Sequence, residues 1–453
     1  MGFKLPEDAQ KIIKKLKKAG FEAYAVGGSV RDMILGRSTQ GWDFTTNAKP
    51  EEILKIFKDS FYDNIFGTVG IPQTNGDIYE VTTYRTERGY SDRRHPDQVA
   101  WGKNLGEDLS RRDFTINAIA FDGQKFNDPY DGRKDLEKKV IRAVGRPAER
   151  FSEDALRVLR AIRIGSELGF LIEEKTFSAI QKNAHLLKSI SSERIRDELL
   201  KILKVDHPAD GFMLFKNSRL LPEVLPELEK CFGVEQKSPG RHHIYDVGTH
   251  SILSLKYCPS SNPIVRLAAL LHDVGKPPTF KKEDNGLITF YNHEIIGASI
   301  VRNIAYRLCF SKKDRERLIK LIRWHQFSVD ERQTDSALRR FIRRVGKENL
   351  NDILAVRVGD RLGGGARETS WRLEQFKKRL IEVQKQPFTV SDLKVDGYDV
   401  MKELNIRPGP IVGKVLNALF AEVVEGGKKN EREYLLKRIK KIGKTLAELP
   451  DRQ

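Results

Sequence analysis

One run of residues, FEAYAVGGSVRDMILGRSTQGWDFTTNA at positions 21–48, limits the fold more than any other part of the chain. Phe21, Ala23 and Ala25 alternate with polar or aromatic neighbours and end in Val26, the period of a half-buried strand. Gly27-Gly28-Ser29 comes next, followed by the helical run VRDMILG. A strand, a glycine turn and a helix capped by Ser29 are predicted. Gly27 and Gly28 let backbone amides approach an anion, the helix dipole favours negative charge there, and Arg31 adds a planar cation. The expectation is a triphosphate cradle, although a Gly-Gly pair alone also serves as a plain tight turn.

The following segment, GWDFTTNA, is β-rich and carries Asp43 as its single carboxylate. A strand sends residues 41, 43 and 45 to one face. Phosphoryl transfer needs acids that converge on magnesium, and a carboxylate two residues before Asp43 would share its face. Gly41 occupies that position. Asn75-Gly76 is a hairpin signal ahead of DIYEVTTYRTE, which offers Glu80 as an acid from a neighbouring strand.

GGSVRD, the WDFTTNA run, EVTTYR and the later RRDFTINA together resemble the class II tRNA nucleotidyltransferases, which add or repair the 3′-CCA end, and their poly(A) polymerase relatives. The resemblance covers essentially the whole chain. It implies an α+β fold: a nucleotidyltransferase (polymerase β-like) head with a mixed β-sheet over 1–140, then all-α regions. These are a neck that selects the base over 141–235, an HD phosphohydrolase-like domain over 236–368, and a tail over 369–453 that grips the acceptor and T arms of tRNA. In that family the strand carries Asp-x-Asp, both metal ligands; here Asp43 and Glu80 remain to hold Mg2+ as the catalytic acids. CTP and ATP are the implied substrates. Poly(A) polymerases and enzymes adding only CC or only A share these motifs. An RNA-binding HD phosphohydrolase whose head is impaired by Gly41 is the alternative from another class.

Bulk properties agree with a nucleic-acid partner. Lys and Arg number 81 against 63 Asp and Glu, giving a net charge of +18 and a pI near 9.6. No run of eighteen apolar residues predicts a membrane span, and the N-terminus MGFKLPEDAQ has neither a signal core nor a transit composition, so a cytoplasmic enzyme is expected. Cys231, Cys258 and Cys309 are scattered and odd in number, as expected of reduced core residues.

Residues 85–104 lack periodicity and read as a long mobile loop. In LSRRDFTINAIAFD, Ser110 is expected to begin a helix presenting Arg111, Arg112 and Asp113. By resemblance Arg112 and Asp113 meet the sugar and phosphates of the nucleotide; a carboxylate and a guanidinium suit a ribose hydroxyl, and also form ordinary surface ion pairs. In ERFSEDALRVLRAIRI, Asp154 and Arg157 are three apart on one helical face. Asp154 can accept from the exocyclic amine of cytosine or adenine while Arg157 donates to the adjacent ring atom, whereas guanine and uracil would aim a carbonyl at the carboxylate. The same spacing also makes a plain salt bridge. By resemblance Glu153, Asp154 and Arg157 form the EDxxR amino-acid template, with Arg160 a phosphate contact one turn on.

Six of the nine histidines fall between 242 and 325. His250, the pair His272-Asp273 in an apolar helix, His293, His325 and Asp360 follow in an order that resembles an HD-domain phosphohydrolase, in which one or two divalent ions (Mn2+, Ni2+ or Mg2+) activate water. An adjacent His-Asp among apolar residues is costly to bury unless a metal or a partner compensates. Lys276 matches the HDxGK lysine that steadies a substrate phosphate. In the tail, Pro-Gly-Pro stops one helix, and Ile411, Val415, Leu416 and Leu419 are expected on one face of the next.

Overall fold

The computed structural model describes residues 3–39, 41–64, 67–74, 76–88, 98–102, 104–236, 245–330, 332–384, 390–424 and 430–447. Short apolar segments near the N-terminus pair into one seven-stranded mixed sheet. Its strands are β1 (Ala23–Val26), β2 (Asp43–Thr46), β3 (Phe61–Asn64), β4 (Thr68–Pro72), β5 (Ile78–Thr83), and, after the separate ribbon of β6 (Arg85–Arg88) and β7 (Gln98–Trp101), β8 (Ala120–Phe121) and β9 (Phe126–Asn127). The order is β3-β4-β5-β2-β1-β8-β9. Pairing is antiparallel except between β2 and β5, whose register sets Asp43 beside Glu80 and Phe44 beside Val81. That crossover decides the site, because the β4–β5 hairpin must return alongside β2 for the two acids to become neighbours.

β2 is central, so Phe44, Thr45 and Thr46 are all buried and only Asp43, its first residue, stays exposed. The hairpin closes at Gly76 (φ +88°), and Asn75 lies outside the described residues. The expected loop over 85–104 contains regular structure after all: its ends pair as β6 and β7, while 89–97 and 103 are outside the described residues. The helix Glu7–Lys18 lays Ala9, Ile12, Ile13 and Leu16 into the core and packs on β1.

Beyond the short bridge Val140–Ile141/Leu171–Ile172 the described chain is helical, apart from a two-residue strand pair at Lys281–Lys282 and Ile288–Thr289. One contiguous apolar core runs from Leu5 to Val383, and a second, small one gathers Leu393 to Ile442. The head, neck and histidine-rich regions thus share an interior, and the tail has its own. Phe376, Leu380 and Val383 of the helix Trp371–Val383 belong to the main core, so the tail's own core starts well after residue 369. In the tail the helix Gly397–Leu404 ends on Asn405 (φ +50°) before Pro410 begins the next; Val415 and Leu419 are buried there, whereas Ile411, in the first turn, is 50% exposed. Cys231 and Cys258 are buried, whereas Cys309 is exposed, against the expectation of three core thiols. No helix among the described residues is long and apolar enough to cross a membrane.

Candidate nucleotide and metal sites

Gly27 opens the head site. Its φ of +79° lies where side chains are strained, and a Cβ there would sit 3.2 Å from Asp43 Oδ2 and 3.4 Å from Arg112 Nη1. Gly27 is itself the cap residue of the helix Gly28–Ile34, and Ser29 does not cap it: its hydroxyl donates to the Val26 carbonyl at 3.1 Å. Gly28, Ser29, Asp32, Gly41, Asp43 and Glu80 line a cleft of about 280 Å³. Gly41 is outside the strand, in a bend with φ +77°, so it reaches the cleft through that bend and not through strand alternation. The walls of the cleft raise the Asp43 pKa above the ordinary carboxylate value, against the pull of Arg112 and Arg160, although its side chain stays open to solvent.

Arg31, expected to add a planar cation to the cradle, is already engaged. It is 5% exposed; Nε and Nη2 fork onto Asp32 at 2.9 Å each, and Nη1 donates to Asn117 Oδ1 at 3.1 Å. Its charge is therefore matched beneath the glycine turn.

The expected helix from Ser110 is also displaced. Asn104 accepts from Glu107 N at 3.0 Å and caps a helix Leu105–Ser110, in which Ser110 is the last residue and Arg111 the cap. Buried Asp108 then holds both arginines, taking Arg111 Nη2 at 2.6 Å and Arg112 Nη2 at 3.1 Å. Burial alone would raise the Asp108 pKa, and these two guanidiniums bring it below the ordinary value. Asp113 turns inward onto Arg160, accepting at 2.6 and 2.9 Å, with Asn117 Nδ2 at 3.0 Å.

Asp154 and Arg157 are not on one continuous helix. The helix Pro147–Glu153 ends, Asp154 is extended, and a new helix, Arg157–Leu168, begins. Asp154 accepts from Leu156 N and from Arg194 Nη2, both at 3.0 Å. Arg157 donates to Glu153 Oε2 at 2.9 Å and to the Arg111 carbonyl at 2.8 Å. Arg157 is thereby tied to the segment that carries Arg112. The helix Ser192–Lys204 braces this arrangement, since its Glu198 takes Arg163 Nε at 2.8 Å.

In the histidine-rich region, His250, His272, Asp273, His293, His325 and Asp360 come together from five separate segments. His272 and His325 close the C-terminal ends of their helices, where carbonyls lack partners, and His293 opens the N-terminal end of its own. His272, His293 and His325 each approach the carbonyl three residues earlier through Nδ1, at 2.8, 2.9 and 2.7 Å. A carbonyl only accepts, so Nδ1 carries a proton and Nε2 faces the centre. There His250 and His272 Nε2 are 3.2 Å apart, and His293 and His325 Nε2 3.3 Å apart. Asp273 stands between the pairs, with Oδ2 3.2 Å from His272 and Oδ1 3.5 Å from His293. Asp360 Oδ1 lies 3.3 Å from His250; its helix Leu350–Gly363 comes this close because a Cβ on Gly359 would meet the Ser254 carbonyl at 2.5 Å.

Two three-donor groups result, His250-His272-Asp273 and Asp273-His293-His325, sharing one carboxylate. Burial lowers the His325 pKa to about 3. Burial would also lower His272, but Asp273 and Asp360 raise it to about 10 and are themselves held well below the carboxylate range. The ionised acids call for positive charge at the centre, which a proton on His272 supplies or a divalent cation would supply in its place, and this donor set of imidazoles and carboxylates fits divalent cations. Lys276 Nζ lies 2.6 Å from Asp273 Oδ2 and donates to Gln236 Oε1 at 2.8 Å, so it is buried and already engaged.

Comparisons with known proteins agree along the chain. Residues 23–142 match the Poly A polymerase head domain, 169–232 the probable RNA and SrmB-binding site of polymerase A, and 247–362 the HD domain. The CCA-adding enzyme of Ligilactobacillus salivarius is 34% identical over 444 residues, 97% of this chain and 98% of that protein. The chain belongs to the CCA-adding enzyme family. A CCA-adding enzyme of Lactococcus lactis is likewise 34% identical over 452 residues, 97% of this chain and 98% of that protein. The Bacillus stearothermophilus CCA-adding enzyme in complex with CTP shares its fold at a TM-score of 0.72 and 29% identity, covering 97% of this chain and 98% of that one.

Within this CCA-adding framework the structure adds residues that the sequence reading passed over. Asp108, Asn117 and Arg194 each hold a predicted site residue in place. Arg163 continues the three-residue spacing of Arg157 and Arg160, a signal visible in the sequence. Nothing local marked Asn117 or Asp108, which matter only because the chain folds back on itself.

Proposed function

We propose that this chain adds or repairs the 3′-terminal CCA of tRNA from CTP and ATP. The observation that carries this reading is the register pair Asp43–Glu80 lining the same cleft as Gly28 and Ser29. Two neighbouring carboxylates suit an ion that keeps part of its water shell, as magnesium does. Asp43 and Glu80 would hold it. Bound there, magnesium would favour ionisation of the RNA 3′-hydroxyl and neutralise charge on the leaving pyrophosphate. Gly27, Gly28 and Ser29 seat the triphosphate over the buried Arg31–Asp32 pair. Arg112 and Arg160, the latter held by Asp113, act on the charge of Asp43 and would meet the sugar and phosphates of the nucleotide. Asp154 accepts from the amine of C or A and Arg157 donates beside it, both on loan from their present partners. The basic tail takes the acceptor and T arms, and the four-part division of the chain follows from these roles. The cytoplasm is the compartment in which such an enzyme meets its substrate.

The test is tRNA lacking its 3′ end, incubated with magnesium and each triphosphate. Incorporation of C and A, ending after the triplet, is expected; no extension defeats the reading, and long A tracts make it a poly(A) polymerase. Asp154→Ala is expected to lose discrimination against GTP and UTP or to lose incorporation. Unchanged kinetics with all four nucleotides would remove the template role.

A second activity is favoured by the six clustered ligands. We propose that the HD region is a metal phosphohydrolase for 2′,3′-cyclic phosphates or phosphate monoesters at RNA ends. Its ions, Mn2+, Ni2+ or Mg2+, would supply an activated water. The protein's own part is to present lone pairs, through Lys276 to hold Asp273 in place, and to steady the phosphate. Absence of 2′,3′-cAMP hydrolysis with all three metals would exclude it.

A further inference from the structure

The ligands floor a cavity of about 430 Å³, and its lip and Arg357 have no part in the roles above. Two cations flank the cluster, Lys276 on Asp273 and Arg357 Nη1 on Asp360 Oδ2 at 3.2 Å. They differ in what they have left to offer. Lys276 is buried between two acceptors, whereas Arg357 lines the cavity with a buried Nε that has no hydrogen-bond partner among the described residues. Arg357 keeps 24% of its side chain exposed, so an anion entering beside the cluster would meet its outer guanidinium N–H groups.

The lip is Phe290-Tyr291-Asn292, immediately before the ligand His293. Asn292 holds φ +61°, a turn that asparagine tolerates, and His293 folds back onto the Phe290 carbonyl at 2.9 Å. Tyr291, between Phe290 and Asn292, is thrown outward: it is 72% exposed, and Ile295 on the next turn is 43% exposed. Phe280 meets Phe290 edge-on at 5.9 Å, which stiffens the lip from behind. A large aromatic side chain left bare on the edge of a cation-flanked cavity has the form of a stacking platform for a flat ring.

We infer that Arg357 and Tyr291 are the phosphate and base subsites of this cavity, which makes it selective for nucleoside phosphates over small phosphate esters. The inference rests on the phosphohydrolase reading of the HD region. It is tested by calorimetric titration of the manganese-loaded full-length chain with two ligands that resist hydrolysis, an adenosine 3′-phosphonate and methylphosphonate. The parent is expected to prefer the nucleoside ligand by at least about fivefold, the stacking of one base. Tyr291→Ala should abolish that preference and leave methylphosphonate binding unchanged, Tyr291→Phe should keep it, and Arg357→Met, at unchanged manganese content, should weaken both ligands alike by about tenfold. A preference that survives Tyr291→Ala, or that is missing in the parent while methylphosphonate binds, overturns the inference alone. Failure of both ligands to bind, together with no hydrolysis of any phosphate ester, overturns the phosphohydrolase reading and the inference with it.

Discussion

The head and the HD region hold their acids in opposite ways. In the head, Asp43 and Glu80 come from adjacent strands and end in an open cleft, where strand register is what sets them side by side. In the HD region, three imidazoles are each tethered by their own Nδ1 to a carbonyl of a neighbouring turn, and Asp273 binds the two halves together. A strand pair delivers two carboxylates to a face that must stay open for an exchanging triphosphate and a bulky RNA. Helix ends deliver a locked ligand set, rigid before any ion arrives. The head should therefore depend on free magnesium in solution, while the HD region should retain its ions through purification.

The strongest way to break this contrast is to remove one acid from each site. Asp43→Ala is expected to lower CTP incorporation at least about 10³-fold, several kcal/mol of charge stabilisation, with HD metal content unchanged by mass spectrometry. Asp273→Ala should empty both halves of the HD cluster and leave CTP incorporation within about twofold, since no shared ligand joins the sites. Loss of incorporation in Asp273→Ala would show that the two sites are one functional unit.

A smaller effect concerns how the head is joined to the neck. Asp113 is buried, and burial alone would raise its pKa, but Arg160 more than reverses this. A carboxyl held below its unfolded value of about 3.9 contributes stability that is complete above that pH and is lost as pH falls through the folded value. Asp113→Asn should cost about 2–3 kcal/mol at neutral pH, less than the 3–5 of a fully buried pair because Arg160 retains some solvent contact. Denaturant unfolding should show the two proteins converging below about pH 4. Equal stability at pH 7 would mean that the pair does not join head to neck.

How far the sequence discloses each region follows from the same contrast. The HD ligands are legible because His and Asp are rare among apolar residues, so His272-Asp273 after ALL stands out before any fold is known. Strand β2 and the acid pair were legible from β-rich composition and the hairpin signal ahead of Glu80. The backbone between elements was not. Ser29, Ser110 and Asp154 all have the chemistry of helix caps, yet Gly27, Asn104 and a break after Glu153 set the boundaries. Several residues compete for each cap, and tertiary partners such as Arg194 on Asp154 decide among them. The engagement of Arg31 by Asn117 spans 86 positions, beyond the reach of local pattern.

The finest test of the comparison is to move the head one step toward the HD arrangement by giving it a third acid. Gly41 lines the cleft, and a Cβ there would meet only the Ile78 carbonyl, at 3.9 Å, so Gly41→Asp has room. What it lacks is a relaxed backbone: at φ +77° a side chain costs about 1 kcal/mol, with Asp and Asn among the least penalised. Gly41→Asn carries the same strain and nearly the same volume without the charge. Both variants are expected to lose about 1–2 °C in Tm. Gly41→Asp alone should lower the magnesium concentration for half-maximal CTP incorporation by about five- to tenfold, the worth of one more charged ligand near a partly hydrated ion. Equal magnesium dependence in the two variants would show that Asp43 and Glu80 complete the site. Extension of tRNA by Gly41→Asp and not by the parent would instead make the glycine the reason the head is silent, leaving the HD region as the working half of the molecule.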